Sequence, residues 1–245
     1  MLKLLSIELL KVRRSQAQWM MIAIPLLVVV LNVLMMLKRT AVASLGETHW
    51  LRLWQSTSAL WCYFMLPLYI ALVTGLLNGH EHKNQTWRLM LTLPISQRQL
   101  YVAKAVLAWL FVLGANVVLV GGTSLAIGLL GLAGAPLKGA FAAPMLVMLS
   151  KISLACIPIL LIQHAVSWRV RNLVLPLALG VMATVVVIEI GSSEHWAWYP
   201  WTYPLMAANG SDTAVQSHAL LLAAGVGAAL FALTALVLGG RETET

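Results

Sequence analysis

Ala17-Gln-Trp-Met-Met-Ile-Ala-Ile-Pro-Leu-Leu-Val-Val-Val-Leu-Asn-Val-Leu-Met-Met-Leu37 is the stretch on which the fold turns. It carries no Lys, Arg, Asp or Glu. A helix rising about 1.5 Å per residue needs about 20 apolar residues to cross a hydrocarbon core of about 30 Å, and this run has that length. A signal peptide is the competing reading, since Lys3, Lys11, Arg13 and Arg14 precede the run and Ala41-Val42-Ala43 follows it. The apolar region of a signal peptide is only about 7–15 residues long. Lys38 and Arg39 also separate the run from the small residues. The segment reads as an uncleaved first span.

Working outward, five more segments match the same template: Thr57–Asn78, Leu100–Leu130, Phe141–Val166, Asn172–Ile190 and His218–Gly239. The third is long enough to tilt, or to end in a separate turn near Gly131 and Gly134. Pro25, Pro67, Pro144, Pro158 and Pro176 fall in or near spans, where neighbouring helices can satisfy the carbonyls they free. Long alternating strands are lacking, which argues against a membrane β-barrel. The expected fold is an all-α polytopic membrane protein with six transmembrane helices in one transmembrane domain over residues 1–245.

Composition agrees. The chain is 60% hydrophobic and 10% charged, with mean hydropathy +0.87. Soluble domains carry about 25% charged residues, so this chain lacks the polar atoms to cover a water-facing surface. The net charge of +8 sits in short gaps between apolar runs, which suits an anionic membrane surface better than nucleic acid. Cys62 and Cys156 both lie in apolar runs and read as buried small hydrophobes. His80-Glu81-His82 is no metal motif, because histidines two apart do not share a helix face.

Before the first span, Leu2, Leu5, Leu9 and Val12 recur at helical spacing while Lys3, Lys11, Arg13 and Arg14 face elsewhere. This predicts an interfacial amphipathic helix over about residues 1–15. With the N-terminus cytoplasmic, the inside collects Lys3, Lys11, Arg13, Arg14, Lys83, Arg88, Arg98, Lys104, Arg169, Arg171 and Arg241. The outside keeps Lys38, Arg39, Arg52 and Lys138, so the bias places both termini inside. Three of those outer cations crowd the first external loop and run against the rule. The last external loop, 191–217, has no Lys or Arg and gathers Trp196, Trp198, Tyr199, Trp201 and Tyr203, as an aromatic belt would.

Residues 79–98 differ from the rest, being too polar to face lipid and too apolar for a free loop. Trp87, Met90 and Leu91 stand at helical spacing near Lys83 and Arg88. Pro94 stops that helix, and Ser96 with Gln99 three residues on resembles a capping box for the next. The expectation is a short amphipathic helix at the cytoplasmic face, a broken joint, and a new helix into the third span.

Glu81, Thr86, Arg88, Leu89, Leu91, Leu93, Pro94, Ile95, Ser96 and Lys104, in this order after the second span, resemble the pattern of permease subunits of ABC-2-type transporters. The N-terminal helix, six spans and long last external loop agree with that plan. Within the family the likeness is nearest to small permeases of bacterial antibiotic-peptide immunity and natural-product export, in the inner membrane. The resemblance implies that residues 79–98 are the coupling helix docking on a separate ATPase subunit, with Glu81, Lys83, Thr86, Trp87, Arg88, Leu91, Pro94 and Arg98 as the coupling residues. It also implies a second permease copy or paralogue, with ATP and Mg on the partner ATPase. This chain has no G-x-x-x-x-G-K-[ST] loop and no cofactor of its own is expected.

Lys151 falls inside the fourth expected span, where a charge costs about 2.5 kcal/mol or more. It reads either as a group lining a substrate path, with Glu189 as a candidate partner, or as a snorkelling lysine at a span end. Asn32, Asn116 and Gln163 are accounted for by hydrogen bonds between helices. A secondary carrier would show paired intramembrane charges in two repeated halves, and an intramembrane enzyme would show convergent catalytic groups. Neither pattern stands out here. A non-transporting assembly subunit remains the alternative outside transport.

Overall fold

A computed structural model describes residues 2–13, 15–83, 96–170, 172–191 and 193–242, with side chains omitted at 2–3, 80–83 and 237–242. Among the described residues the chain is helical with no strand, and five helical segments are long and apolar enough to cross a membrane. The all-α polytopic expectation holds.

The first helix, α1 (Leu2–Val12), is followed by α2 (Gln16–Arg39), whose apolar run continues through Pro25. Next come α3 (Glu47–Leu60) and α4 (Leu66–Lys83), joined by a π-helical turn at Trp61–Met65. In that turn the Leu66 N–H bonds to the Trp61 carbonyl, one residue further back than in an α-helix. Pro67 supplies the local cause, since it has no N–H to return to the turn before it. The second span therefore starts about ten residues earlier than its hydropathy indicated, at Glu47. Its lower end also runs on: the backbone of Glu81 and Lys83 is the last turn of α4 rather than a separate helix.

The third span, α5 (Gln97–Leu132), has 36 residues, about 54 Å at about 1.5 Å each, and ends in a turn where Gly134 takes φ +94°. The fourth is two helices, α6 (Met145–Ala155) and α7 (Ile157–Arg169), broken at Cys156. Pro158 cannot donate to the Leu154 carbonyl, so the ladder is interrupted where an unbroken span was expected. Helix α8 (Val174–Ile190) is apolar but only 17 residues long, the shortest of the six expected spans. After 3₁₀ turns at Glu194–Trp198 and Pro200–Thr202 come α9 (Tyr203–Asn209) and α10 (Thr213–Glu242).

Leucine, valine and methionine side chains of α2, α8 and α10 point outward, with Leu221 at 72% exposure, as lipid-facing groups do. The inner core runs through Trp61, Leu66, Ile70, Leu107, Val112 and Ile159. A polar network crosses it. Trp61 Nε1 donates to Asn116 Oδ1 (2.7 Å), Asn116 Nδ2 to Ser153 Oγ (2.9 Å), and Trp109 Nε1 to the Ser153 carbonyl (2.9 Å). Asn116 thus bonds between helices as expected. Asn32 instead donates back to the Val28 carbonyl within α2 (2.9 Å), and Gln163 Oε1 has no partner. Cys62 and Cys156 are both buried.

The aromatic loop is not simply a belt. Tyr203 is 2% exposed and donates to the Ala197 carbonyl (2.8 Å), and Trp201 is also buried, whereas Trp198 is 84% exposed. Ala219 and Ala223 of α10 pack against Ala155 and Ala207.

Candidate functional site

Successive spans run in opposite directions, so α1, the end of α4, the start of α5 and the end of α7 share one face of the bundle. This base is where residues 79–98 attach. Thr86, Trp87, Arg88, Leu91 and Pro94 lie outside the described residues, as does the expected amphipathic helix they belong to. Its two anchors are described. Helix α4 delivers Glu81 and Lys83 to the base, and Ser96 opens α5, its Oγ accepting from the Gln99 N–H (3.2 Å). Arg98 is exposed in the first turn of α5.

One ion pair ties α1 to this base, and a second, within α1, shares its carboxylate. Lys104 Nζ lies 3.1 Å from Glu8 Oε2, and both side chains are almost fully buried, at 3% and 2% exposure. Lys104 also donates to the Leu77 carbonyl of α4 (2.9 Å), and Lys11 Nζ pairs with Glu8 Oε1 (2.6 Å). One ammonium group therefore joins α1, α4 and α5. Burial acts most strongly on the Glu8 carboxyl and would raise its pKa. The field of Lys104 and the hydrogen bonds from Lys11 and Lys104 outweigh it, holding the group below the ordinary glutamate value.

Glu8 was not legible as a site residue from spacing of leucines alone, and Lys104 entered as one of the inside cations and as the last residue of a family pattern. The buried face of α1 is Leu5, Glu8 and Val12, while Leu9 is 50% exposed. The missed signal was an acid on the apolar stripe, three residues after Leu5 and four before Val12.

Next to the lock lies a second buried polar group. Asn78 Nδ2 donates to Ser167 Oγ (2.7 Å) and sits 3.2 Å from His164 Nδ1, and His164 Nε2 lies 3.2 Å from the Tyr101 carbonyl. The Tyr101 ring is 4.4 Å from the His164 ring, centroid to centroid. The base ends of α4, α5 and α7 are thus tied together beside the lock.

At the opposite end, Lys151 Nζ donates to Gln216 Oε1 (2.6 Å), so the structure gives it a neutral amide on α10 as partner. Glu189 is exposed near the end of α8 and is not brought to Lys151. Lys151 sits in the second turn of α6, close to the end of a span that begins later than Phe141.

Searches of curated proteins and of solved structures found no match to the chain. The family described as "ABC-2 family transporter protein" matches residues 4–187, a stretch that takes in nearly all of α1, the Glu8–Lys104 pair, residues 79–98 and all but the last span. Permeases of this family are membrane components that work with ABC ATPase subunits. With three quarters of its length inside that match, the chain belongs to the ABC-2 family of transporter proteins.

Proposed function

We propose that the protein is the membrane-spanning subunit of an ATP-driven exporter, driven by a separate ATPase that docks on residues 79–98. Its cargo on this reading is a peptide-like, antibiotic or other amphipathic compound. Two permeases, identical or paralogous, and two ATPases form the working unit, in a bacterial inner membrane with both termini cytoplasmic. ATP and Mg act on the ATPase, and the permease contributes no hydrolytic site.

The observation that carries the reading is the Lys104 junction. Force applied between Lys83 and Ser96 acts on α4 and α5 directly, and the Glu8 pair makes α1 move with them. In this mechanism ATP closes the ATPase pair, the docked segment shifts, and the outward-facing arrangement gains population. Glu81, Lys83, Thr86, Trp87, Arg88, Leu91, Pro94 and Arg98 are the proposed contacts to the ATPase.

Gentle purification should bring down a nucleotide-binding subunit in stoichiometric amount. Glu81→Ala and Arg88→Ala should lower substrate-stimulated ATP hydrolysis of that complex and leave membrane insertion intact. Full coupled activity in both variants, or labelling of Gln85 and Gln97 from the external side only, would overturn the docking assignment.

A further inference from the structure

A cavity of about 810 Å³ opens at the end of the bundle opposite the Glu8–Lys104 lock, between the last turns of α2, the first turns of α3, the end of α9 and the start of α10. Arg39, Arg52 and His49 line it, and none of its described lining residues is acidic. Arg39 and Arg52 are exposed, so their guanidinium groups can meet a ligand entering from the membrane surface.

Asn209 meets Ser58 Oγ (2.9 Å) on the protein side of the wall, and the same hydroxyl reaches the Gln55 carbonyl (3.0 Å). Behind the same wall Gln216 accepts from Lys151 and donates to the Gly210 carbonyl (3.1 Å). A third positive charge is thereby set against the cavity with a neutral amide in between.

The wall is also amphipathic, since Met35, Met36 and Leu53 line it beside these polar groups. Positive charge here opposes the topology bias, because Arg39 and Arg52 lie at the end that should be poor in lysine and arginine. A ligand explains their placement. Arginine offers a planar fork of donors suited to phosphate oxygens, and the apolar wall suits an acyl chain.

We propose that this cavity binds the phosphate headgroup of an anionic phospholipid, held by Arg39 and Arg52, with Met35 and Leu53 against the chain. The site is independent of ATPase docking, and its test does not need the partner.

The full chain is placed in nanodiscs of phosphatidylcholine with graded phosphatidylglycerol, and lipid retained on the protein is read by native mass spectrometry. The parent should retain phosphatidylglycerol preferentially. Arg39→Gln with Arg52→Gln should weaken retention by about tenfold or more, as expected for losing two charge-assisted contacts. Lys138→Gln, which removes a cation at the same end outside the cavity, should leave retention unchanged. Circular dichroism and size-exclusion profiles confirm that each variant is folded. Equal retention by the double-arginine variant, or an equal loss in Lys138→Gln, overturns the site. Binding of inorganic phosphate with no preference between the two lipids overturns the assignment to lipid.

Discussion

Replacing Glu8 by alanine should detach α1 from the base while leaving the spans folded. Lys104 is 3% exposed and would lose this carboxylate while keeping the Leu77 carbonyl. Removing one member of a buried pair costs about 3–5 kcal/mol, because the remaining charge loses its counter-ion where water cannot replace it. The outer half of the bridge counts for little, since Lys11 is 41% exposed and such pairs contribute about 1 kcal/mol or less. An 11-residue helix is marginal by itself, so the loss falls on the docking of α1. At about 1.4 kcal/mol per decade, the opening equilibrium should rise by roughly 100- to 5,000-fold. Hydrogen exchange by mass spectrometry on the purified protein in nanodiscs reads this directly, comparing peptides from residues 2–12 with peptides from α5. Glu8→Gln keeps an acceptor oxygen and should lose less than Glu8→Ala. Lys104→Met should open α1 as well, and the Glu8→Gln, Lys104→Met double variant should be less damaged than the sum of the two, since neither leaves a charge alone. Unchanged protection of α1 in both Glu8→Ala and Lys104→Met would refute the lock.

Acid should act on the same joint. Because Glu8 titrates below its ordinary value of 4.5 in the docked form, its contribution is complete above that pH and is lost as pH falls through the lowered value. Exchange at residues 2–12 should therefore quicken below about pH 4.5 in the parent, while Lys104→Met shows a much weaker dependence over that range; equal profiles would contradict this. At the contact of α8 with α4, a Cβ placed on Gly180 would stand 2.6 Å from the Ala71 Cβ, which is fixed to its own backbone and cannot rotate away. Gly180→Val should force the two helices apart and destabilise by about 1–3 kcal/mol, visible as a lower unfolding midpoint in detergent. Gly225→Ala, where nothing lies within 4 Å, is the control and should leave that midpoint unchanged.

Hydropathy located the spans because about 20 uninterrupted apolar residues have few other uses, and Ala17–Leu37 lies wholly within α2. It misplaced the beginnings of the second and last spans. Residues 47–56 are amphipathic, so their mean hydropathy is low, yet Trp50 and Trp54 bury themselves by donating to the Pro136 and Ala140 carbonyls (2.9 and 3.0 Å). Such long-range bonds leave no local pattern. Capping chemistry was readable at Ser96, where the side-chain acceptor and the N–H it meets are three residues apart. The Glu8 pair was harder to read, since its partners are far apart in sequence and only the fold brings Lys104 under α1. Lys151 illustrates the same limit. Its charge marked it, but its partner Gln216 is on another span and looked ordinary in sequence.

The π turn at Trp61–Met65 and the gap at Cys156 fall in two neighbouring spans and are bridged by the chain of bonds from Trp61 through Asn116 to Ser153. Rods interrupted half-way bend more cheaply there than anywhere else along their length. On the proposed mechanism a tilt entering from the base is divided at that level, and the upper storey, pinned by Trp50 and Trp54, turns through a different angle from the lower one. The crossbar of amide and hydroxyl groups acts as the axle between the two storeys, which makes mid-depth the place where a push is converted into a change of shape.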